Sequence, residues 1–143
     1  MKHFLTLLLL LTLLPASAVK KITPNPINLA IILVEKTDSA KVASTLEYYG
    51  YTPQGKEDSY QIMKDSNGNE IRYSYSNTTH QNKYPQIIVR NHETHKSLDS
   101  RLQELNFKKV GRNYERAKNQ YSRFKTKCSF GPHGTLIIQR MPQ

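Results

Sequence analysis

The chain has 143 residues, a formal net charge of +10 and one cysteine, Cys128. A single cysteine excludes an internal disulfide, so the fold has to be held by packing alone. The length is that of one domain, and the excess of lysine and arginine disfavours cationic ligands and favours anionic ones.

Residues 1–18 have the pattern of a signal peptide. Lys2 provides a positive start, residues 5–14 form a leucine-rich apolar run of ten positions that includes Thr6 and Thr12, and residues 16–18 are a small-residue cleavage site. The apolar run is shorter than the roughly 20 residues that a membrane-spanning helix needs. The pattern predicts cleavage after Ala18, a secreted or periplasmic protein, and no transmembrane segment in the mature chain.

Residues 19–26 are polar and contain proline, which predicts a disordered leader. Residues 27–143 then form a single α+β domain. Its first segment, residues 27–34, is almost entirely apolar and rich in β-branched side chains. This composition predicts a strand that is buried on both faces.

A first helix is predicted between Asp38 and Gly50. Val42, Leu46 and Tyr49 recur at helical spacing and form one apolar stripe. Asp38 can cap the start of the helix, and Gly50 can end it because glycine adopts the left-handed conformation without strain.

A hairpin is predicted next, with arms at residues 59–64 and 70–76. Asn67 and Gly68 lie between the arms, and an Asn-Gly pair between alternating runs is a strong hairpin signal. In the second arm Ile71 and Tyr73 alternate with polar residues, which predicts one buried face and one solvated face.

The plan of the first helix is repeated 56 residues later. Leu98, Leu102 and Leu105 form the stripe, Thr94 is the cap, and Asn106 replaces glycine as the left-handed stop. The agreement in role at each position predicts an internal repeat.

The rest of the second copy is predicted from its apolar runs. Residues 77–84 are a polar linker, residues 87–89 are a strand, and residues 121–130 and 135–140 are the arms of a hairpin. The two copies differ by an insertion of about ten residues. This basic insert, residues 112–120, fits either an extended strand or a loop.

These elements predict two βαββ repeats, residues 27–76 and 85–140. Together they would form an antiparallel sheet of about six strands with two helices on one face. The predicted topology resembles the pseudo-symmetric TATA-binding-protein type of fold, a resemblance that extends to no shared motif and implies no function. The alternative is a four-stranded ferredoxin-like sheet with an additional C-terminal hairpin.

The positive charge is concentrated in the second copy. Residues 19–83 contain 8 basic and 7 acidic side chains, whereas residues 84–143 contain 12 and 4. A row of cations on a strand attracts phosphates, acidic glycans, lipid head groups or an acidic protein. Nucleic acid is not expected for an exported protein. The candidate ligand-binding residues are Lys108, Lys109, Arg112, Arg116, Tyr121, Arg123, Lys125 and Lys127. The alternative interpretation is that basic residues prevent edge-to-edge aggregation.

Three other patterns resemble catalytic or metal-binding motifs but fit a structural role better. His92 and His95 are three residues apart, one fewer than the zinc-protease motif requires. Cys128 shares the inner phase of its strand, so a catalytic pair with His133 is not expected. Residues 65–70 begin like a calcium loop but lack its later ligands. We therefore expect no catalytic residues, no metal and no cofactor.

The sequence thus favours an exported, non-enzymatic protein that binds an anionic ligand or an acidic protein through a basic surface. The alternatives are a hydrolase with a dispersed active site and a structural or inhibitory envelope component. Under the first hypothesis, changing Arg123, Lys125 and Lys127 to glutamate should abolish retention on an anionic matrix without unfolding the protein.

Overall fold

The computed structural model describes residues 24–74, 86–91, 93–119 and 125–141. This part of the chain contains three α-helices: α1 (Pro26–Lys36), α2 (Val42–Tyr48) and α3 (His95–Glu104). It also contains eight strands: β1 (Thr52–Glu57), β2 (Tyr60–Lys64), β3 (Glu70–Ser74), β4 (Gln86–Arg90), β5 (Lys108–Val110), β6 (Asn113–Arg116), β7 (Thr126–Phe130) and β8 (Thr135–Arg140). The predicted α+β class is confirmed.

The eight strands form one antiparallel sheet in the order β1-β2-β3-β4-β8-β7-β6-β5. The central pair, β4 and β8, joins the two halves of the sheet, with Ile88 directly opposite Ile137. Strands β1 and β5 are the two edges. Each half is built from four strands that are consecutive in the chain.

The strand predicted over residues 27–34 is instead helix α1. The Asn25 side chain accepts a hydrogen bond from the Ile27 amide at 2.9 Å, and Pro26 occupies the first turn, where its missing N–H costs nothing. A short apolar run fits a buried helix as well as a buried strand. Here the helix is buried around most of its circumference because it lies across β4 and β8. The helix begins at Pro26, a residue that the sequence pattern places in the disordered leader. The predicted signal peptide, residues 1–18, and residues 19–23 lie outside the described residues.

Helices α2 and α3 end as the sequence predicts. Gly50 and Asn106 both have positive φ, 88° and 64°. In each case the following amide, of Tyr51 or Phe107, donates to the carbonyl five residues earlier, at 3.0 and 2.9 Å. This is the Schellman arrangement, which satisfies the last carbonyls of a helix.

The beginnings of these two helices differ. The Thr94 side chain accepts a hydrogen bond from the Ser97 amide at 3.2 Å, so the predicted cap of α3 is confirmed. The predicted cap of α2 is wrong. A short 3-10 turn, Ser39–Lys41, precedes α2, and the helix begins after Lys41 without a side-chain cap.

The predicted hairpins are present, but the sheet has eight strands rather than six. Strands β2 and β3 pair around Asn67 and Gly68, and β7 pairs with β8. The predicted strand at residues 27–34 is absent from the sheet. Three strands that the sequence did not predict, β1, β5 and β6, are present. Strands β1 and β5 lie at edges and are exposed along their length, so they carry no alternating pattern. The basic insert contains β6, which pairs with β5 and β7. The predicted βαββ repeats of the TATA-binding-protein type are therefore not matched exactly, and the four-stranded ferredoxin-like alternative does not match this sheet either.

The hydrophobic core lies between the helices and one face of the sheet. The inner-face residues include Ile71, Ile87, Leu136, Ile138 and Cys128, all fully buried. They form one cluster with the stripes of all three helices. No described helix covers the opposite face, which we call the open face.

Candidate binding surface

The strand register determines which side chains share the open face, because directly opposed residues on neighbouring strands point the same way. One row runs through Ser74, Gln86, Gln139, Lys127, Glu115 and Lys108. A second row runs through Ile62, Arg72, Ile88, Ile137, Ser129 and Asn113. The open face is therefore mostly polar, with an apolar section near its centre.

Three of the predicted cations meet at one end of this face. Lys108, Lys125 and Lys127 surround Glu115, and we call these four residues the basic corner. Lys125 Nζ lies 2.5 Å from Glu115 Oε2, with the lysine side chain 47% exposed. The other two lysines have no partner within the described residues. The basic corner therefore carries a net charge of +2, and two of its ammonium groups can receive an external anion.

The charges at the other end of the open face are mostly compensated. Arg72 Nη1 lies 2.6 Å from Glu57 Oε2, and Arg72 also donates to Glu70. Lys64 lies 3.5 Å from the same Glu70 carboxylate. Burial raises the pKa of Glu70, but the hydrogen bond and charge of Arg72, with smaller contributions from Arg90 and Lys64, outweigh it and lower the pKa overall. These two cations and two anions compensate each other, and Arg90, which lies directly opposite Glu70 on β4, leaves this end with a net charge of +1.

An apolar group lies between the two ends. Ile62, Ile88 and Ile137, which we call the isoleucine strip, are half-buried on the open face. Ile88 and Ile137 are cross-strand partners on β4 and β8. The sequence reasoning missed this strip because residues 87 and 88 read as one apolar run, and only the register separates inner Ile87 from outer Ile88.

Two other predicted cations, Lys109 and Arg112, lie away from the basic corner. Lys109 points to the helix side, with its ammonium 5.9 Å from the centre of the Tyr114 ring. Arg112 is exposed in the turn between β5 and β6. Neither lies within the row that contains Lys108 and Lys127.

Arg116 is engaged inside the fold. Its Nη2 lies 2.5 Å from Glu35 Oε2, its Nη1 donates to the Leu105 carbonyl at 2.9 Å, and it stacks on Phe107 at 4.7 Å. Thr126 donates to the same Glu35 at 2.8 Å. Since a buried ion pair of this kind is costly to break, Arg116 ties α1 to β6 rather than presenting a cation to solvent.

The remaining predicted binding residues, Tyr121 and Arg123, lie outside the described residues. The predicted alternation of their strand can be followed from Lys125 onward. Lys125, Lys127 and Ser129 lie on the open side, and Thr126 and Cys128 are fully buried on the inner side.

The cysteine and the histidines have structural surroundings. Cys128 is buried in the core cluster, and burial raises the pKa of its thiol. His95 begins α3 and stacks on Phe130 at 4.8 Å. His133 lies in the turn Pro132–Gly134, and His92 lies outside the described residues. Asp65 accepts hydrogen bonds from the amides of Asn67 and Asn69, both at 2.9 Å, so it organises the hairpin turn.

The described part of the chain offers neither a metal-binding cluster nor a membrane-spanning helix. No group of three or more histidine, cysteine, aspartate or glutamate side chains there could hold a metal ion. No helix there is long and apolar enough to cross a membrane, the longest, α1, having 11 residues. A cleft of about 250 Å³ lies beside α1, and its charged lining includes the Glu35–Arg116 ion pair.

Comparisons with protein-family models, with curated proteins and with solved structures found no match to this chain.

Proposed function

We propose that this chain is an exported, non-enzymatic binding protein whose contact surface is the open face of its sheet. The basic corner receives an anionic ligand or an acidic protein partner. The observation that carries the proposal is the gathering of Lys108, Lys125 and Lys127 around a single carboxylate on a face that no described helix covers.

The distribution of charge supports a contact surface over a general solubility effect. Residues that serve only solubility would be spread over the molecule, with both signs interspersed. On the open face, Arg72 and Lys64 pair with the carboxylates at the β1–β3 end and Arg90 adds one positive charge, whereas the β5–β7 end carries two lysines without a paired carboxylate in the described part of the chain. Such a gradient orients an approaching anion and speeds its association.

We also propose that the fold is a tandem duplication of a unit made of one helix followed by four strands. The positions of several elements agree with the 56-residue offset: the stops at Gly50 and Asn106, and strands β3 and β7. The strand order reads the same from both edges toward the β4–β8 pair. Both units contribute strands to the open face, and the basic corner lies at the end that the second unit forms.

The proposed surface can be tested with a heparin column as the anionic probe. The variant Lys108→Glu, Lys125→Glu, Lys127→Glu should elute at much lower salt than the unaltered protein, because a favourable local field is reversed. Its circular dichroism and unfolding transition should show that the fold is retained.

The matched control is Lys41→Glu, Lys56→Glu, Lys96→Glu, which changes the net charge equally at exposed positions away from the open face. This control should elute close to the unaltered protein. Equal shifts for the two triple variants would mean that net charge alone governs retention, and the proposed surface would be rejected.

A further inference from the structure

We infer that the partner at the open face is a folded acidic protein, with an apolar ridge on the isoleucine strip and carboxylates facing the basic corner. This inference rests on the proposed function, since it names the class of partner for the same surface.

The isoleucine strip is the first reason. Ile88 and Ile137 lie side by side on the two central strands, and Ile62 lies in the same row two strands from Ile88. Solvated sheet faces normally carry polar residues, so β-branched apolar groups at the centre of one need an explanation. A sulfated glycan, a polyphosphate or a lipid head group would use the lysines and leave these side chains in water. A protein surface can cover them and gain the free energy of burial.

Arg72 provides the second reason. It lies in register between Ile62 and Ile88, and Glu57 and Glu70 hold its guanidinium. An arginine fixed in this way has already lost much of its side-chain freedom, so less entropy is lost when a partner packs against it. Apolar and arginine side chains at the centre with charged groups at the rim are the usual composition of a protein interface.

The charge gradient sets the orientation of the partner. The end around Glu57 and Glu70 carries a net charge of +1, which comes from Arg90, whereas the basic corner carries +2 with a single carboxylate among three lysines. Neighbouring strands are about 4.8 Å apart, so Ile88 and Lys108 are separated by roughly 19 Å across four strand spacings. A partner complements this face if it has an apolar ridge with acidic residues on one side only. The separation between the ridge and the acidic residues should be about the same as that between Ile88 and Lys108.

The test begins with photocrosslinking, which identifies a partner by its position. A benzophenone amino acid is placed at Ser129, between the isoleucine strip and the basic corner, and separately at Lys96 on the helix side as the control. Each protein is irradiated in the extracytoplasmic fraction of the producing cells. We expect an acidic protein to be captured from position 129 and not from position 96.

The captured protein is then purified, and its binding is measured by titration calorimetry. The double variant Ile88→Thr, Ile137→Thr keeps β-branched residues and should raise the Kd by about tenfold or more, since apolar contacts at an interface centre dominate affinity. The heat-capacity change on binding should be negative and smaller in magnitude for the variant. Elution of the same variant from heparin should be unchanged, because its lysines are intact.

Different results would overturn different claims. If the isoleucine variant binds the captured protein as tightly as the unaltered chain does, the inferred role of the strip is wrong. If position 129 captures no protein while heparin or phosphatidylglycerol vesicles bind through the lysines, the partner is a polyanion or a membrane surface and only this inference fails. If reversing the lysines leaves heparin binding unaltered, the proposed function itself fails.

Discussion

Glu93 receives hydrogen bonds from three side chains in two parts of the fold. Arg101 Nη2 donates to its Oε1 at 2.9 Å, Asn25 Nδ2 donates to the same oxygen at 3.0 Å, and Ser97 donates to Oε2 at 3.3 Å. Burial raises the pKa of Glu93, but these hydrogen bonds and the charge of Arg101 outweigh it, so the pKa lies below its ordinary value of 4.5. Glu93 therefore joins the start of α1 to α3 more strongly when it is ionised.

This lowered pKa predicts an acid-dependent loss of stability. Stabilisation from a carboxylate of lowered pKa is present above its unfolded value and is lost as pH falls through the folded value. Glu93→Gln should reduce the free energy of unfolding at pH 7 by about 1–2 kcal/mol, since charged hydrogen bonds are lost. In urea titrations the difference from the unaltered protein should narrow as the pH falls below 4.5.

The control for this prediction is Glu104→Gln, an exposed position at the end of α3. Its effect should be within about 0.5 kcal/mol at all pH values, as for most surface substitutions. A Glu93→Gln difference that does not change with pH would show that the carboxylate contributes by shape rather than by charge.

At the scale of the element, α2 and α3 have equivalent ends and different beginnings. The Thr94 hydroxyl caps α3, whereas α2 follows a 3-10 turn and has no side-chain cap. A cap has to be the residue directly before the helix: that residue is Thr94, in extended conformation, for α3, but Lys41, in helical conformation, for α2, and Asp38 lies three residues earlier.

This difference predicts unequal effects for two alanine substitutions. Thr94→Ala should lower the free energy of unfolding by about 1 kcal/mol because one amide of the first turn loses its acceptor. Asp38→Ala should change it by less than about 0.5 kcal/mol, as for an exposed residue without a cap. Thermal and urea unfolding of both variants would measure the difference. Equal losses would mean that Asp38 caps α2 in solution.

At the scale of the whole molecule, stability depends on the seam between β4 and β8. This pair joins the two halves of the sheet, and α1 packs across both of its strands. Ile138 points into the core and is fully buried, whereas the preceding residue, Ile137, points to the open face. Two adjacent residues of the same type therefore have different roles.

The seam provides a matched test of the sheet orientation. Ile138→Ala should cost about 2–5 kcal/mol because it leaves a cavity in the core, and Ile137→Ala should cost about 1 kcal/mol. Urea unfolding at neutral pH measures both values. The reverse order would mean that the face assigned to the interior is the solvated one.

Features that are encoded within a few residues can be predicted from the sequence. The stripes and stops of α2 and α3, the cap at Thr94 and the hairpin around Gly68 each depend on side-chain period or on one backbone conformation. The inner phase of Cys128 could also be read from alternation along its strand. For the same reason Lys125 and Lys127 could be placed together on the other face.

Features that depend on distant partners cannot be predicted locally and are seen only in the folded chain. Residues 27–34 are helical because they lie across β4 and β8, and a run that is apolar throughout carries no period of its own. Arg116 points inward because Glu35, 81 residues away, supplies its counter-charge. The isoleucine strip and the basic corner exist because strand register brings together side chains from separate parts of the chain, and register is set by pairing and not by local sequence.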